Sequence, residues 1–101
     1  MSKVMVRYKV KPERAEENAE LVRAVYEELA RATPAGLHYA TFRLDDGVSF
    51  VHIAADETEA GPSPLREVTA FQEFVKDIAE RCTEPPTTRE LDEVGSFRFW
   101  Q

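Results

Sequence analysis

The sequence predicts an α+β fold in the order βαββαβ, a four-stranded antiparallel sheet with two helices on one face. Three observations predict it. Residues 3–10 alternate in type, with Val4, Val6, Tyr8 and Val10 on one face and Met5, Arg7 and Lys9 on the other. Two later segments repeat apolar residues at three- and four-residue spacing, the signature of a helix that buries one stripe. Between those segments, Asp45-Asp46-Gly47 separates two runs rich in β-forming residues and reads as a hairpin turn, with Gly47 supplying positive φ at no steric cost.

The elements follow in order. Pro12 stops the first strand and opens a helix. Glu13, Glu16 and Glu17 suit the positive end of that helix. Leu21, Val22, Val25, Leu29 and Ala32 form its apolar stripe, and Thr33-Pro34-Ala35-Gly36 ends it. Residues 37–44 and 48–55 are the hairpin strands. A two-residue Asp46-Gly47 loop sets Phe42 opposite Val51, Ala40 opposite Ile53, Thr41 opposite His52 and Arg43 opposite Phe50; a three-residue loop would shift this by one. Residues 56–63 read as a polar loop. Thr69 and Gln72 match a capping box, so the second helix is expected from Ala70 to Arg81, with Val68, Phe71, Val75, Ile78 and Cys82 as its stripe and Phe74 alongside. Pro85-Pro86 ends it, and Val94–Trp100 reads as the last strand, with Gly95 a bulge.

This order is the ferredoxin-like, or split βαβ, arrangement. At 101 residues it is a single domain spanning 1–101. Helices on one face leave the other face of the sheet bare, and Met5, Tyr39, Phe50 and Trp100 are candidates for it, mixed with Arg7, Arg43 and Arg98. Leaving apolar area in water forgoes about 25 cal/mol per Å². A second copy of the chain supplies a matching cover through a two-fold contact, so a homodimer is expected, built from the two sheets into an α/β barrel.

Composition narrows the partners. Nineteen acidic against 13 basic residues give a net charge of −6. Nucleic-acid affinity comes mostly from cations that displace phosphate counterions, and no Lys/Arg block is present. The same balance disfavours anionic membrane surfaces. No run approaches the length of a membrane span, and the first residues lack the apolar core of a signal peptide. With Cys82 the single cysteine, no internal disulfide forms, and a reducing cytoplasmic setting is expected.

The stretch Met5-Val6-Arg7-Tyr8-Lys9-Val10-Lys11-Pro12, followed by an acidic amphipathic helix, resembles the opening of antibiotic-biosynthesis-monooxygenase-like domains, and so does Ala70-Phe71-Gln72-Glu73-Phe74. The resemblance implies a dimeric α+β barrel with a ligand pocket between helices and sheet in each subunit. It also implies an oxygenase that works without metal or organic cofactor, on a small aromatic, hydroquinone-like molecule. Haem-degrading relatives carry a histidine on the second helix and an asparagine on the first strand. Here residues 71–82 contain no His and residues 3–10 no Asn, so haem chemistry is not expected.

Candidate site residues follow. His38 shares a face with Ala40 and Phe42, assigned to the helix side, and a histidine near neutral pKa can act as a general base. Tyr8 could present its phenol to a ligand or simply be a hydrogen-bonded core tyrosine. These two are the catalytic candidates, for holding a substrate anion. Asn18, one turn before Val22, could border the space between helix and sheet or be solvated, and Phe42, Phe71 and Phe74 could line an apolar pocket or pack a core. His52, beside Thr41, is expected to face the dimer interface. No carboxylate or cysteine accompanies either histidine at metal-ligand spacing, so neither a metal nor a cofactor is expected. A non-catalytic module that binds a small metabolite is the rival reading, since no convincing acid–base constellation stands out.

Overall fold

The computed structural model describes residues 2–57 and 63–100. Strand β1 (Ser2–Val10) leads through a single 3-10 turn at Pro12–Arg14 into helix α1 (Ala15–Ala32). Strands β2 (Leu37–Arg43) and β3 (Ser49–Asp56) form the hairpin. A 3-10 turn at Pro64–Glu67 precedes α2 (Thr69–Lys76), then a short α3 (Ile78–Arg81) and β4 (Cys82–Glu90). The strands form one antiparallel sheet in the order β2-β3-β1-β4. The fold class and element order are as the sequence predicts. The polar loop expected over 56–63 lies largely outside the described residues; Asp56 closes β3.

The core lies between helices and sheet. Tyr8, Val10 and Phe50 come from the sheet, Ala15, Ala19, Val22 and Val25 from α1, and Leu65, Val68 and Phe74 from the second helical region. The hairpin register is the expected one, from Leu37 opposite Asp56 to Arg43 opposite Phe50. Asp46 holds the turn, accepting from the Val48 and Ser49 amides at 2.9 and 2.8 Å and from the Ser49 hydroxyl at 2.6 Å. Gly47 has φ +79° there, a conformation that disfavours any side chain.

The faces of the hairpin are the reverse of those expected. Tyr8 pairs with Phe50 and Val6 with His52 across β1–β3, so Phe50 and His52 share the helix side with Tyr8. Arg43 pairs with Phe50 and Thr41 with His52, which sends Tyr39, Thr41 and Arg43 to the helix side as well. His38, Ala40 and Phe42 therefore point to the open face, with Met5, Arg7, Val51 and Ile53. Tyr39, Phe50 and Arg43 do not belong to that open face; Arg43 instead bonds Glu16 of α1 at 2.8 Å.

Two further expectations are corrected at the C-terminal end. The second helix is not continuous from 70 to 81: Asp77, with φ −121°, separates α2 from α3. Its N-terminus is held from outside, the Thr69 and Ala70 amides donating to the Glu28 carboxylate of α1 at 3.0 and 2.9 Å, while Gln72 donates to the Arg66 carbonyl at 2.8 Å. A carboxylate there satisfies free N–H groups and complements the helix dipole.

The last strand is Cys82–Glu90, not Val94–Trp100. Pro85 and Pro86 fall inside it. Proline is tolerated because β4 is an edge strand, paired only with β1, and the ladder is irregular between Arg7 and Lys9, opposite the two prolines. The tail after β4 carries no strand and crosses the open face. The Leu91 amide donates to the Lys3 carbonyl at 2.9 Å, Lys3 Nζ sits 5.9 Å from the Trp100 ring centre, and Trp100 meets His38 edge-on at 6.0 Å.

Candidate functional site

Beneath the second helical region lies a cavity of about 410 Å³. Val4, Val6, Tyr8 and Pro86 line it from β1 and β4, Tyr39, His52 and Ala54 from the hairpin, and Phe71, Phe74, Val75 and Ile78 from α2 and α3. Its walls are mostly aliphatic and aromatic, Ser63 and Arg66 add polar groups ahead of α2, and among the described residues no carboxylate lines it. This volume lies in the range of about 300–1,000 Å³ typical of small-molecule sites.

The polar part of the wall is a linked cluster. Tyr8 Oη lies 2.8 Å from His52 Nε2. On the other ring edge, His52 Nδ1 lies 2.6 Å from Tyr39 Oη and 3.0 Å from Thr41 Oγ1. Thr41 Oγ1 in turn lies 2.7 Å from Tyr26 Oη. Behind the cavity, Asn18 Nδ2 donates to Tyr8 Oη at 2.9 Å, and Arg81 Nε donates to Asn18 Oδ1 at 3.1 Å. Arg81 also donates to the Phe74 carbonyl, and its guanidinium lies 5.5 Å from the Phe74 ring centre. Asn18 and Arg81 are 0% and 2% exposed, so nearly all their polar capacity must be met inside the protein. Among the described residues, no buried side-chain nitrogen or oxygen lacks a partner.

Burial sets the protonation states. It pushes His52 down to about 4, so the imidazole is neutral at pH 7. It raises Tyr8 and Tyr39 well above the usual phenol range, and pushes Tyr26 up to about 12. For Tyr8 the Asn18 hydrogen bond and the Arg81 charge work against that rise. The phenol–imidazole cluster therefore offers neutral donors and acceptors, with the buried Arg81 two hydrogen bonds behind Tyr8, while the exposed Arg66 adds a guanidinium to the cavity lining.

The structure brings together Tyr8, Asn18, Phe71 and Phe74 of the residues singled out from sequence. It separates His38 and Phe42 from them. His38 lies on the opposite sheet face, 3.2 Å from Glu57, and so cannot reach the cavity. Phe42 is on the same open face and 52% exposed. His52, expected at an interface, instead sits at the centre of the cluster. Tyr39 and Arg81 were not singled out for the pocket: Tyr39 was assigned to the open face with the rest of its side of β2, and a helix-terminal arginine offers no signal. Among the described residues, no group of three or more His, Cys, Asp or Glu side chains could hold a metal ion. Nor is any helix long and apolar enough to cross a membrane.

No family model matches the chain, and no curated protein matches it. Solved structures do. An antibiotic biosynthesis monooxygenase is 25% identical with a TM-score of 0.71, covering 94% of this chain and 100% of that one. A candidate antibiotic biosynthesis monooxygenase from Nitrosomonas europaea is 18% identical with a TM-score of 0.75, again over 94% and 100%. Another, from Caulobacter crescentus, is 20% identical with a TM-score of 0.67 over 93% and 90%. Element order, sheet topology and near-complete mutual coverage agree, and the chain is by fold an antibiotic-biosynthesis-monooxygenase-like domain.

Proposed function

We propose that the chain is a cofactor-independent monooxygenase whose cavity takes a small aromatic, hydroquinone-like molecule. The observation that carries this reading is the cavity itself, with apolar walls and one phenol–imidazole cluster set into them. Apolar walls bind the ring system and exclude water, and the cluster hydrogen-bonds the substrate oxygen. With an anthrone as substrate, whose keto form carries a ring CH2, that CH2 becomes a carbonyl. One oxygen atom of dioxygen stays on the substrate, and the other leaves as water with the two displaced hydrogens. The four electrons released by the carbon are those dioxygen accepts, so no external reductant enters. The substrate anion itself reduces dioxygen, and the protein's part is to hold that anion and keep water away.

Oxygen uptake with anthrone tests this. Uptake above the uncatalysed rate is expected, and Tyr8→Phe, which removes the hydroxyl that orders His52 within the cluster, should lower it about tenfold, the worth of one hydrogen bond. Uptake equal to the uncatalysed rate would sink the enzymatic reading. One observation favours a second reading, a binding module without chemistry. His52 is held near 4, which makes it a poor proton acceptor at neutral pH. Ligand binding without oxygen uptake would select that reading.

The proposal includes a homodimer joined through the open sheet face, in a reducing cytoplasmic setting. Exposed Phe42 beside Ala40, Val51 and Ile53 supports the first, and a lone cysteine is compatible with the second. Light scattering at micromolar concentration should give twice the 11.5 kDa chain mass. Phe42→Asp should halve that mass with an unchanged circular dichroism spectrum, because an aspartate at this half-exposed position is harmless in water and costly inside a contact. A wild-type mass of one chain would refute the dimer.

A further inference from the structure

The cavity cluster contains one more proton than it has committed places to put it. Tyr8, neutral His52 and Tyr39 carry three between them: two hydroxyl protons and one ring N–H. They share two contacts, Tyr8 with Nε2 at 2.8 Å and Tyr39 with Nδ1 at 2.6 Å. Each contact uses one proton. The third belongs to a phenol in the cavity wall, and the tautomer of His52 decides which phenol it is.

If His52 is protonated at Nε2, that N–H donates to Tyr8, and Tyr39 donates to Nδ1. Tyr8 Oη then accepts from both His52 and Asn18, and its own proton has no acceptor among the described residues. If His52 is protonated at Nδ1, Tyr8 donates to Nε2, and the ring N–H goes to Tyr39 or to Thr41. Tyr39 then holds the uncommitted proton. The nearby Thr41 oxygen competes for it, but that oxygen already serves Tyr26 and the Nδ1 edge of His52.

The environment behind Tyr8 chooses between the two. Asn18 donates into the Tyr8 oxygen, and Asn18 is itself polarised by the buried Arg81 guanidinium. Donation into a hydroxyl oxygen strengthens that hydroxyl as a donor, since chains of hydrogen bonds polarise one another. Tyr8 is thus driven to donate to Nε2, and the ring proton is driven to Nδ1.

We propose that His52 rests as the Nδ1–H tautomer and thereby leaves the Tyr39 hydroxyl as the donor facing the cavity, so that the site selects apolar ring compounds bearing an acceptor oxygen, a carbonyl or an oxyanion, over the same rings without one. Tyr39 is the ligand-binding group; His52, Asn18 and Arg81 are positioning residues. Among the described residues, no carboxylate lines the cavity to serve a ligand that only donates. The inference rests on the proposed ligand-binding role of the cavity and adds the chemical class the cavity prefers.

Fluorenone and fluorene share one three-ring frame and differ by a carbonyl oxygen, so they are the probes. Fluorenone is expected to bind the wild-type chain about tenfold more tightly, the worth of one well-placed hydrogen bond. In Tyr39→Phe that preference should fall to about onefold, which a merely structural role for Tyr39, weakening both probes alike, would not produce. The ¹⁵N shifts of His52 in the ligand-free wild-type protein should show a protonated Nδ1 and an unprotonated Nε2. That measurement also decides the matter should the variant fail to fold. Equal binding of the two probes, with fluorene bound, overturns the proposal and leaves the binding cavity standing. A protonated Nε2 overturns it too. Binding of neither probe removes the cavity reading and this inference together.

Discussion

Replacing Asn18 with leucine will destabilise the fold by about 3 kcal/mol, measured by equilibrium urea unfolding at pH 7.5. Leucine is close to asparagine in shape, so packing changes little, and the loss is one of hydrogen bonds. Asn18 is fully buried on α1, accepting from Arg81 Nε at 3.1 Å and donating to Tyr8 Oη at 2.9 Å. The bond to the guanidinium is charge-assisted and worth about 1.5–3 kcal/mol, the bond to the phenol about 1 kcal/mol. Arginine keeps its charge when buried, so the orphaned Nε–H pays its desolvation with no return. The companion variant Asn18→Leu/Arg81→Met should recover more than half of the loss, because removing both partners leaves nothing unpaired. A single-variant loss below about 1 kcal/mol would mean that Arg81 does not depend on Asn18.

The sequence carried β1, α1 and the β2–β3 hairpin because each has a local physical cause. Alternation over Val4–Val10, apolar spacing along α1 and the Asp-Gly turn need no long-range information. The hairpin register was also local, set by loop length. Which face of that hairpin meets the helices was not. Leu37, Tyr39 and Thr41 are no less suited to a core than His38, Ala40 and Phe42, so β2 has no one-sided pattern to read. The choice is made across the sheet, by Tyr8 pairing with Phe50, a contact between residues far apart in sequence. Strand β4 was hidden for another reason. Two prolines argue against a central strand, and nothing local says that a strand will lie at an edge, where they cost little.

The site divides along the same line. Tyr8 and Asn18 were legible as polar residues on otherwise apolar stripes, positions that demand a partner when buried. The partner of Asn18 was not legible, because an arginine at the end of a helix is normally a solvated residue complementing the dipole. Arg81 is drawn inward by the break at Asp77, which starts a separate turn of helix and sets its last residue beside Phe74 and Asn18. His52 was misplaced through the hairpin face, and the centre of the cluster went with it.

The fold will lose about 3 kcal/mol of stability as pH falls from 6.5 to 4, and His52 is the cause. Its ring is 4% exposed, and burial lowers its folded-state value from an ordinary 6.5 to about 4. Between these values the unfolded chain binds a proton on His52 that the folded chain does not. Stability therefore rises with pH across this window, is fully present above about 6.5 and is lost progressively towards 4. Protonation would also spoil the cluster, since a ring with two N–H groups can no longer accept from Tyr8. The paired carboxylates act in the same direction but lower down. Glu16, Glu17 and Asp46 are depressed by Arg43, Arg14 and Ser49, and their contribution fades only below their ordinary values, near 4.5 and 3.8. The two effects separate in a pH series of urea midpoints. His52→Gln should flatten the segment between pH 6.5 and 4.5 and leave the more acidic arm unchanged. If the slope above pH 4.5 survives in His52→Gln, the titrating group is elsewhere and the imidazole is not the buried neutral acceptor on which the cluster depends.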